Sequence, residues 1–254
     1  MGLYLENLVE SIGLFGVIGI AMIALVTSAI HGATGVAGGF LLSAALAPII
    51  GIAPIVPVIS VSLLISHGSR ALLNVRDFYL PAFLAISIPA VPCVIVFALI
   101  YGKISSNLIA IILGSVILVS IPLRHWAKRR AIKTSRTMLS SVGAAYGALS
   151  GVAVGPGMLL VPFMLGYGLA KEQFVATLAV IALVTNVSRV GVFGSTDLLN
   201  GEYILIGLLC GLMTIPGNWL GRTFLRRMTN ESHSGLVDVL TVLGAANFFW
   251  LALR

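Results

Sequence analysis

Thr185-Asn186-Val187-Ser188-Arg189 lies inside the run Val180-IALVTNVSRVGVF-Gly194, which carries no other charge. A matching pentapeptide, Ser66-His67-Gly68-Ser69-Arg70, stands 119 positions earlier. The correspondence extends in both directions. Upstream, Gly35-Val-Ala pairs with Gly151-Val-Ala and Phe40-Leu-Leu with Met158-Leu-Leu; downstream, Asp77 pairs with Asp197 and Pro92 with Pro216. The offset drifts from 116 to 124, as short loop insertions would produce. The chain therefore divides into a first repeat over 1–126, a basic linker over 127–136 and a second repeat over 137–254.

Composition fixes the solvent in which the repeats fold. Of 254 residues 59% are hydrophobic and 9% charged, and the mean hydropathy is +1.10. Soluble domains carry about 25% charged residues. A spanning helix takes about 20 apolar residues, so the chain has room for roughly eight to ten spans and no sizeable domain outside the bilayer. The net charge of +7 does not point to nucleic acid, because six of the fifteen Lys and Arg residues fall between Arg124 and Arg136. A basic loop between apolar segments is what a cytoplasmic face next to anionic lipid selects. Cys93 and Cys210 lie within apolar runs and read as small buried hydrophobes. The N-terminus, MGLYLENLVE, lacks a basic signal-peptide start, so the first helix is expected to stay in the mature protein.

Apolar runs punctuated by Gly, Pro and charge predict ten helices, near 11–30, 36–50, 54–74, 79–101, 105–123, 137–152, 156–169, 172–193, 201–224 and 235–252. The second and seventh are too short for about 30 Å of hydrocarbon at 1.5 Å per residue. Each follows a glycine-rich stretch, His31-GATGVAGG-Phe40 and Gly147-ALSGVAVGPG-Met158. Such breaks expose backbone that lipid cannot satisfy, so protein or a water-filled cavity must cover them. With ten crossings and the N-terminus outside, Arg76, the 124–136 cluster, Lys171, Arg222, Arg226 and Arg227 all fall inside, leaving Lys103 and Arg254 outside. Five helices per half is an odd number, so the halves must enter from opposite faces. An all-α inverted repeat is expected, an architecture in which secondary transporters bind substrate near midplane at interrupted helices.

The candidate chemistry gathers around Arg70 and Arg189. An intramembrane arginine costs on the order of 3 kcal/mol or more at the bilayer centre unless paired or hydrated. A guanidinium forks across two oxygens of an anion; the plainer alternative is that Arg189 snorkels outward or pairs with Asp197. Ser69, Ser188, Thr185 and Asn186 are neutral donors for an oxyanion, or ordinary interhelical hydrogen-bonding groups. Gly38, Gly39 and Gly157 stand where helices begin inside the membrane, where unpaired N–H groups favour an anion, or where small residues simply allow close packing. His67 and His31 are candidates for proton coupling, since imidazole titrates near neutrality, and a structural role at helix ends explains them equally. No lysine follows the glycines, so neither stretch is a nucleotide loop. His31, His67, His125 and His233 show no metal-ligand spacing. Neither a cofactor nor a metal is expected.

The glycine-rich segment, the Gly/Pro-bounded short helix and the Ser-Arg helix, twice in that order, resemble the sulfite exporter TauE/SafE family over nearly the whole chain. The second half, Gly151-VAVGPGMLLVPFMLGYGL-Ala170, is the closer match; the first has Ala44 where the second has Pro162. The resemblance implies transport of a sulfur-containing or organic anion, such as sulfite, thiosulfate or a sulfonate, coupled to an ion gradient. The expectation is a multi-pass inner-membrane secondary transporter for a small anion, with H+ or Na+ as coupling ion and the lipid bilayer as its surroundings. A passive anion channel is the alternative, and an intramembrane enzyme a weaker one, since no carboxylate pair or Ser-His couple stands at convincing spacing. Neither the oligomeric state nor the direction of transport follows from these features.

Overall fold

The computed structural model describes the backbone of every residue except 1, 35–37, 130–132, 226–229 and 254; side chains at several helix ends also fall outside the described set. Among the described residues there are ten α-helices, two short 3-10 helices and no strand. They are α1 (Gly2–Thr34), α2 (Gly38–Ile50), α3 (Ile55–Leu73), α4 (Leu80–Tyr101), α5 (Ser106–Arg129), α6 (Arg136–Val152), α7 (Leu160–Gly166), α8 (Lys171–Ser195), α9 (Gly201–Leu225) and α10 (Asn230–Ala252). The 3-10 turns are Val75–Asp77 and Pro156–Leu159.

The expected segments each correspond to an observed helix, with instructive differences at the ends. α1 is longer than expected and changes direction at Gly13, whose φ of 72° and ψ of 161° are not helical. α5 runs on to Arg129, so part of the expected linker is the polar tail of a helix. The segment expected over 156–169 is a 3-10 turn followed by the seven residues of α7, ended where Gly168 takes φ 99°. Local chemistry sets several starts. The Ser135 hydroxyl accepts from the Met138 N–H at 3.2 Å and caps α6. At α8 the Gln173 side chain accepts from the Ala170 N–H at 3.2 Å.

Among the described residues, five helical stretches are long and apolar enough to cross a bilayer: Gly13–Ile30, Ile55–Leu73, Leu80–Tyr101, Glu172–Ser195 and Gly201–Gly221. Shorter apolar helices cover Gly39–Ile50, Ser106–Val119 and Thr241–Ala252. Large apolar side chains point outward, Phe15 at 90% and Trp219 at 70% exposure among them. That distribution suits a protein whose surroundings are hydrocarbon.

Lipid tails are as apolar as leucine, so helices associate through close packing rather than through exclusion of water. α1 packs on α9, α4 on α6, α5 on α10, and α3 and α8 pack on one another, α3 also on α9 and α8 on α4. The α4/α6 seam is made by Gly143, Gly147 and Gly151, four residues apart on one face of α6. Their missing side chains admit the backbone of Ile86, of Ala90, and of Phe97 and Ala98 respectively. α9 repeats the device, with Gly207 against Val58 and Val61 of α3, and Gly217 against Leu25 and Ser28 of α1.

Candidate substrate site

α3 and α8 run antiparallel. Gly68 meets the Leu183 side chain, and farther along α3's direction the Tyr79 N–H donates to the Thr177 hydroxyl at 3.0 Å, earlier in α8. Six residues back from Gly68 is Ser62 and six on from Leu183 is Arg189, so these two stand at one level. Arg70 stands near the level of Ile181. The two arginines are therefore staggered by about eight residues, or roughly 12 Å of helix.

A cavity of about 370 Å³ opens between these helices. α3 contributes Ile59, Ser62, Leu63, Ser66, His67 and Arg70, a single face at helical spacing. α8 contributes Phe174, Leu178, Ala182, Thr185, Asn186 and Arg189 in the same manner. Both glycine-rich breaks close its walls, through Gly39, Phe40, Gly155, Pro156 and Gly157. No Asp or Glu lines it among the described residues.

Arg189 is 4% exposed and makes its hydrogen bonds to neutral acceptors. Nη1 donates to the carbonyls of Ser150 and Ala153, the latter at 2.9 Å, and Nη2 donates to Asn186 Oδ1 at 2.6 Å. Ser150 lies in the last turn of α6 and Ala153 follows it, where carbonyls lack helical partners and the dipole favours a cation. The guanidinium thus fastens the broken end of α6 to α8 while keeping its charge. Its Nε–H, also buried, has no hydrogen-bond partner, and neither has the Ser62 hydroxyl at the same level. Buried polar atoms are almost always satisfied, so two such atoms bordering one cavity are an exception.

Of the residues expected at the site, Arg70, Arg189, Thr185, Asn186, His67, Gly39 and Gly157 line the cavity together. Ser69 and Ser188 do not. Each precedes its arginine by one position, roughly 100° of helical turn, and each hydroxyl bonds back along its own helix, to Ser66 O at 2.9 Å and Val184 O at 3.0 Å. The His31 side chain and the surroundings of Gly38 lie outside the described residues. The sequence alone did not single out Ser28, Ser62, Tyr146, Ser150 or Thr214, which also line the cavity. Tyr146 Oη meets Thr185 Oγ1 at 3.1 Å. The Thr185 hydroxyl also lies within donating distance of the Ile181 and Ala182 carbonyls, an arrangement in which it accepts from the tyrosine. The spacing of Ser62, Ser66 and Arg70, four apart on α3, was the available signal.

The described site is thus a buried cation with neutral partners, beside helix breaks in an apolar bundle. No curated protein and no solved structure matches this chain. The family model for the sulfite exporter TauE/SafE matches residues 20–248, nearly the full length. The chain belongs to the sulfite exporter TauE/SafE family of multi-pass membrane transporters.

Proposed function

We propose that the chain is a secondary transporter that moves a small sulfur anion, a sulfonate or sulfite, across the cytoplasmic membrane by alternating access. The observation that carries this reading is Arg189, buried in the cavity with neutral acceptors on Nη1 and Nη2 and an unpartnered Nε–H. An anion entering the cavity compensates that charge, and a low-dielectric wall strengthens the attraction. Arg70 supplies a second cation on the opposite helix. Thr185, Asn186 and Ser66 supply neutral contacts, and Gly39 brings the start of α2 alongside.

The inverted repeat is supported by which helices touch. Laying α1–α5 over α6–α10 carries the α1/α9 contact onto α6/α4 and the α3/α9 contact onto α8/α4. The α3/α8 and α5/α10 pairs map onto themselves. Two halves so related form equivalent alternative packings, which is what rocking between inward- and outward-facing states requires. In this reading there are ten crossings, the N-terminus is outside, and His67 in the cavity wall is the candidate for coupling to a proton.

The test is flux into proteoliposomes. A carrier gives saturable, mutually competitive uptake of sulfonate and sulfite that responds to an imposed proton or sodium gradient. Non-saturating conductance without competition would instead make the cavity a channel.

A further inference from the structure

The cavity is open at one end and sealed at the other. On α3 its lining runs from Ile59 to Arg70, and on α8 from Phe174 to Arg189. It therefore reaches the last turn of α3 and the first turn of α8, and stops about a turn short of their opposite ends at Ile55 and Ser195. Exposure changes in step. Arg70, His67, Phe174 and Leu178 are half-buried, whereas Ser62, Thr185 and Arg189 are buried. The open end is the one that carries the basic stretch. Gly143, Gly147 and Gly151 meet Ile86, Ala90 and Ala98 in that order, so α6 runs parallel to α4. The start of α6, directly after 124–136, thus lies with the start of α4, which follows the end of α3.

An aromatic pair joining the two repeats closes the sealed end. Tyr101, the last residue of α4, and Phe193, one turn past Arg189 on α8, are fully buried with ring centroids 5.3 Å apart. The Tyr101 hydroxyl donates to the Ala53 carbonyl at 2.8 Å, which fastens α4 to the turn between α2 and α3. A Cβ on the adjoining Gly102 would stand 3.1 Å from the Leu198 side chain, just after α8. The repeat does not reproduce this arrangement at the open end. At the offsets of 119 and 124, Phe193 and Tyr101 correspond to Asn74 and Leu225. The Asn74 amide bonds back to the Arg70 carbonyl of its own helix at 2.7 Å.

We infer that Tyr101 and Phe193, with Ala53, form a gate on the face away from the basic stretch, and that this one-sided gate holds the resting carrier open toward the basic stretch. The inference rests on the reading of this cavity as the transport site. Two halves that rock as equivalents populate both open states alike. Contacts made in only one of those states shift the population toward it. Anion therefore loads from the basic face. The ring pair must part, and the Tyr101–Ala53 hydrogen bond break, before the site opens on the other.

The experiment is thiol labelling in right-side-out and inverted membrane vesicles. The reporter is Ala182→Cys, in the cavity lining, with Cys93→Ser and Cys210→Ala removing the native thiols. The reagent is trimethylammonioethyl methanethiosulfonate, a fixed cation that does not cross the bilayer, and Lys133→Cys, exposed beside α6, marks the basic face. The reporter is expected to react at least about tenfold faster from that face, because the state open to the other is a minor one of roughly 10% or less. Tyr101→Phe, which keeps the ring, is expected to raise the rate from the other face by roughly twofold to tenfold, the scale of one neutral hydrogen bond. Tyr101→Ala, which also removes the ring, should raise it further. Equal rates from both faces, or no rise in Tyr101→Phe, while methanesulfonate still slows labelling, would overturn the gate and leave the transport site standing. Face-dependent labelling that methanesulfonate does not slow would remove the site, and the gate's purpose with it. The reporter alone and Tyr101→Phe decide the matter even if Tyr101→Ala fails to fold.

Discussion

Phe40, from the first glycine-rich break, lies directly on the backbone of Gly155 in the second. A Cβ on Gly155 would overlap the Phe40 ring, and Gly155 holds φ at 87°, where a side chain is strained in any case. A Cβ on Gly39, next to Phe40, would stand 3.1 Å from the Val154 side chain. The two breaks are thus one interlocked structure at the cavity wall.

Gly155→Ala is therefore expected to be severe. Left-handed backbone alone costs about 1–2 kcal/mol for a residue with a side chain, and the ring must also move. Thermal unfolding in detergent should show a lowered midpoint, and flux should be lost. Adding Phe40→Ala should recover part of the stability by removing the overlap. Equal stability of Gly155→Ala and wild type would mean the breaks are not interlocked.

The α4/α6 seam gives a paired prediction. Gly147 abuts the Ala90 backbone, so Gly147→Val should separate the helices and sharply lower the yield of monodisperse protein. Gly191 on α8 is the contrast, since a Cβ added there would meet nothing within 4 Å. Gly191→Ala should be neutral or stabilise by about 0.5–1 kcal/mol, the usual helical difference. Size-exclusion profiles of the two variants compare them directly.

Tyr146 Oη lies 3.1 Å from the Thr185 hydroxyl. Tyr146→Phe removes one neutral hydrogen bond, worth about 0.5–1.5 kcal/mol. The expected outcome is a small fall in unfolding midpoint and a loss of transport affinity of at most about tenfold. Loss of all transport in this variant would make Tyr146 a principal ligand group instead.

The helices were legible because apolar runs and their Gly and Pro punctuation survive any tertiary arrangement. The duplicated Ser-Arg pentapeptides lie on two helices that line one cavity, and helical phase explains why only part of each faces it. Ser69 and Ser188 sit beside the arginines in sequence but turn off the cavity face, whereas Ser62 and Ser150, distant in sequence, turn onto it. The four-residue spacing of Gly143, Gly147 and Gly151 was not singled out in the sequence, and its partner α4 emerges only from the packing. What sequence could not convey is that Arg189 holds the end of α6 as well as bordering the cavity. That depends on two backbone carbonyls, which no side-chain pattern encodes.

The most direct measurement is anion-induced thermal stabilisation of wild type against Arg189→Gln and Arg189→Lys. A ligand that binds the native state raises stability as RT ln(1 + [L]/Kd), so the wild-type midpoint should climb with the concentration of sulfite or of a small sulfonate. Arg189→Gln should show no such climb at concentrations that saturate wild type. Arg189→Lys, which keeps charge but not the fork to Ser150, Ala153 and Asn186, should need at least tenfold more anion. Superimposable anion responses in all three proteins would contradict the assignment of Arg189 as the anion's anchor.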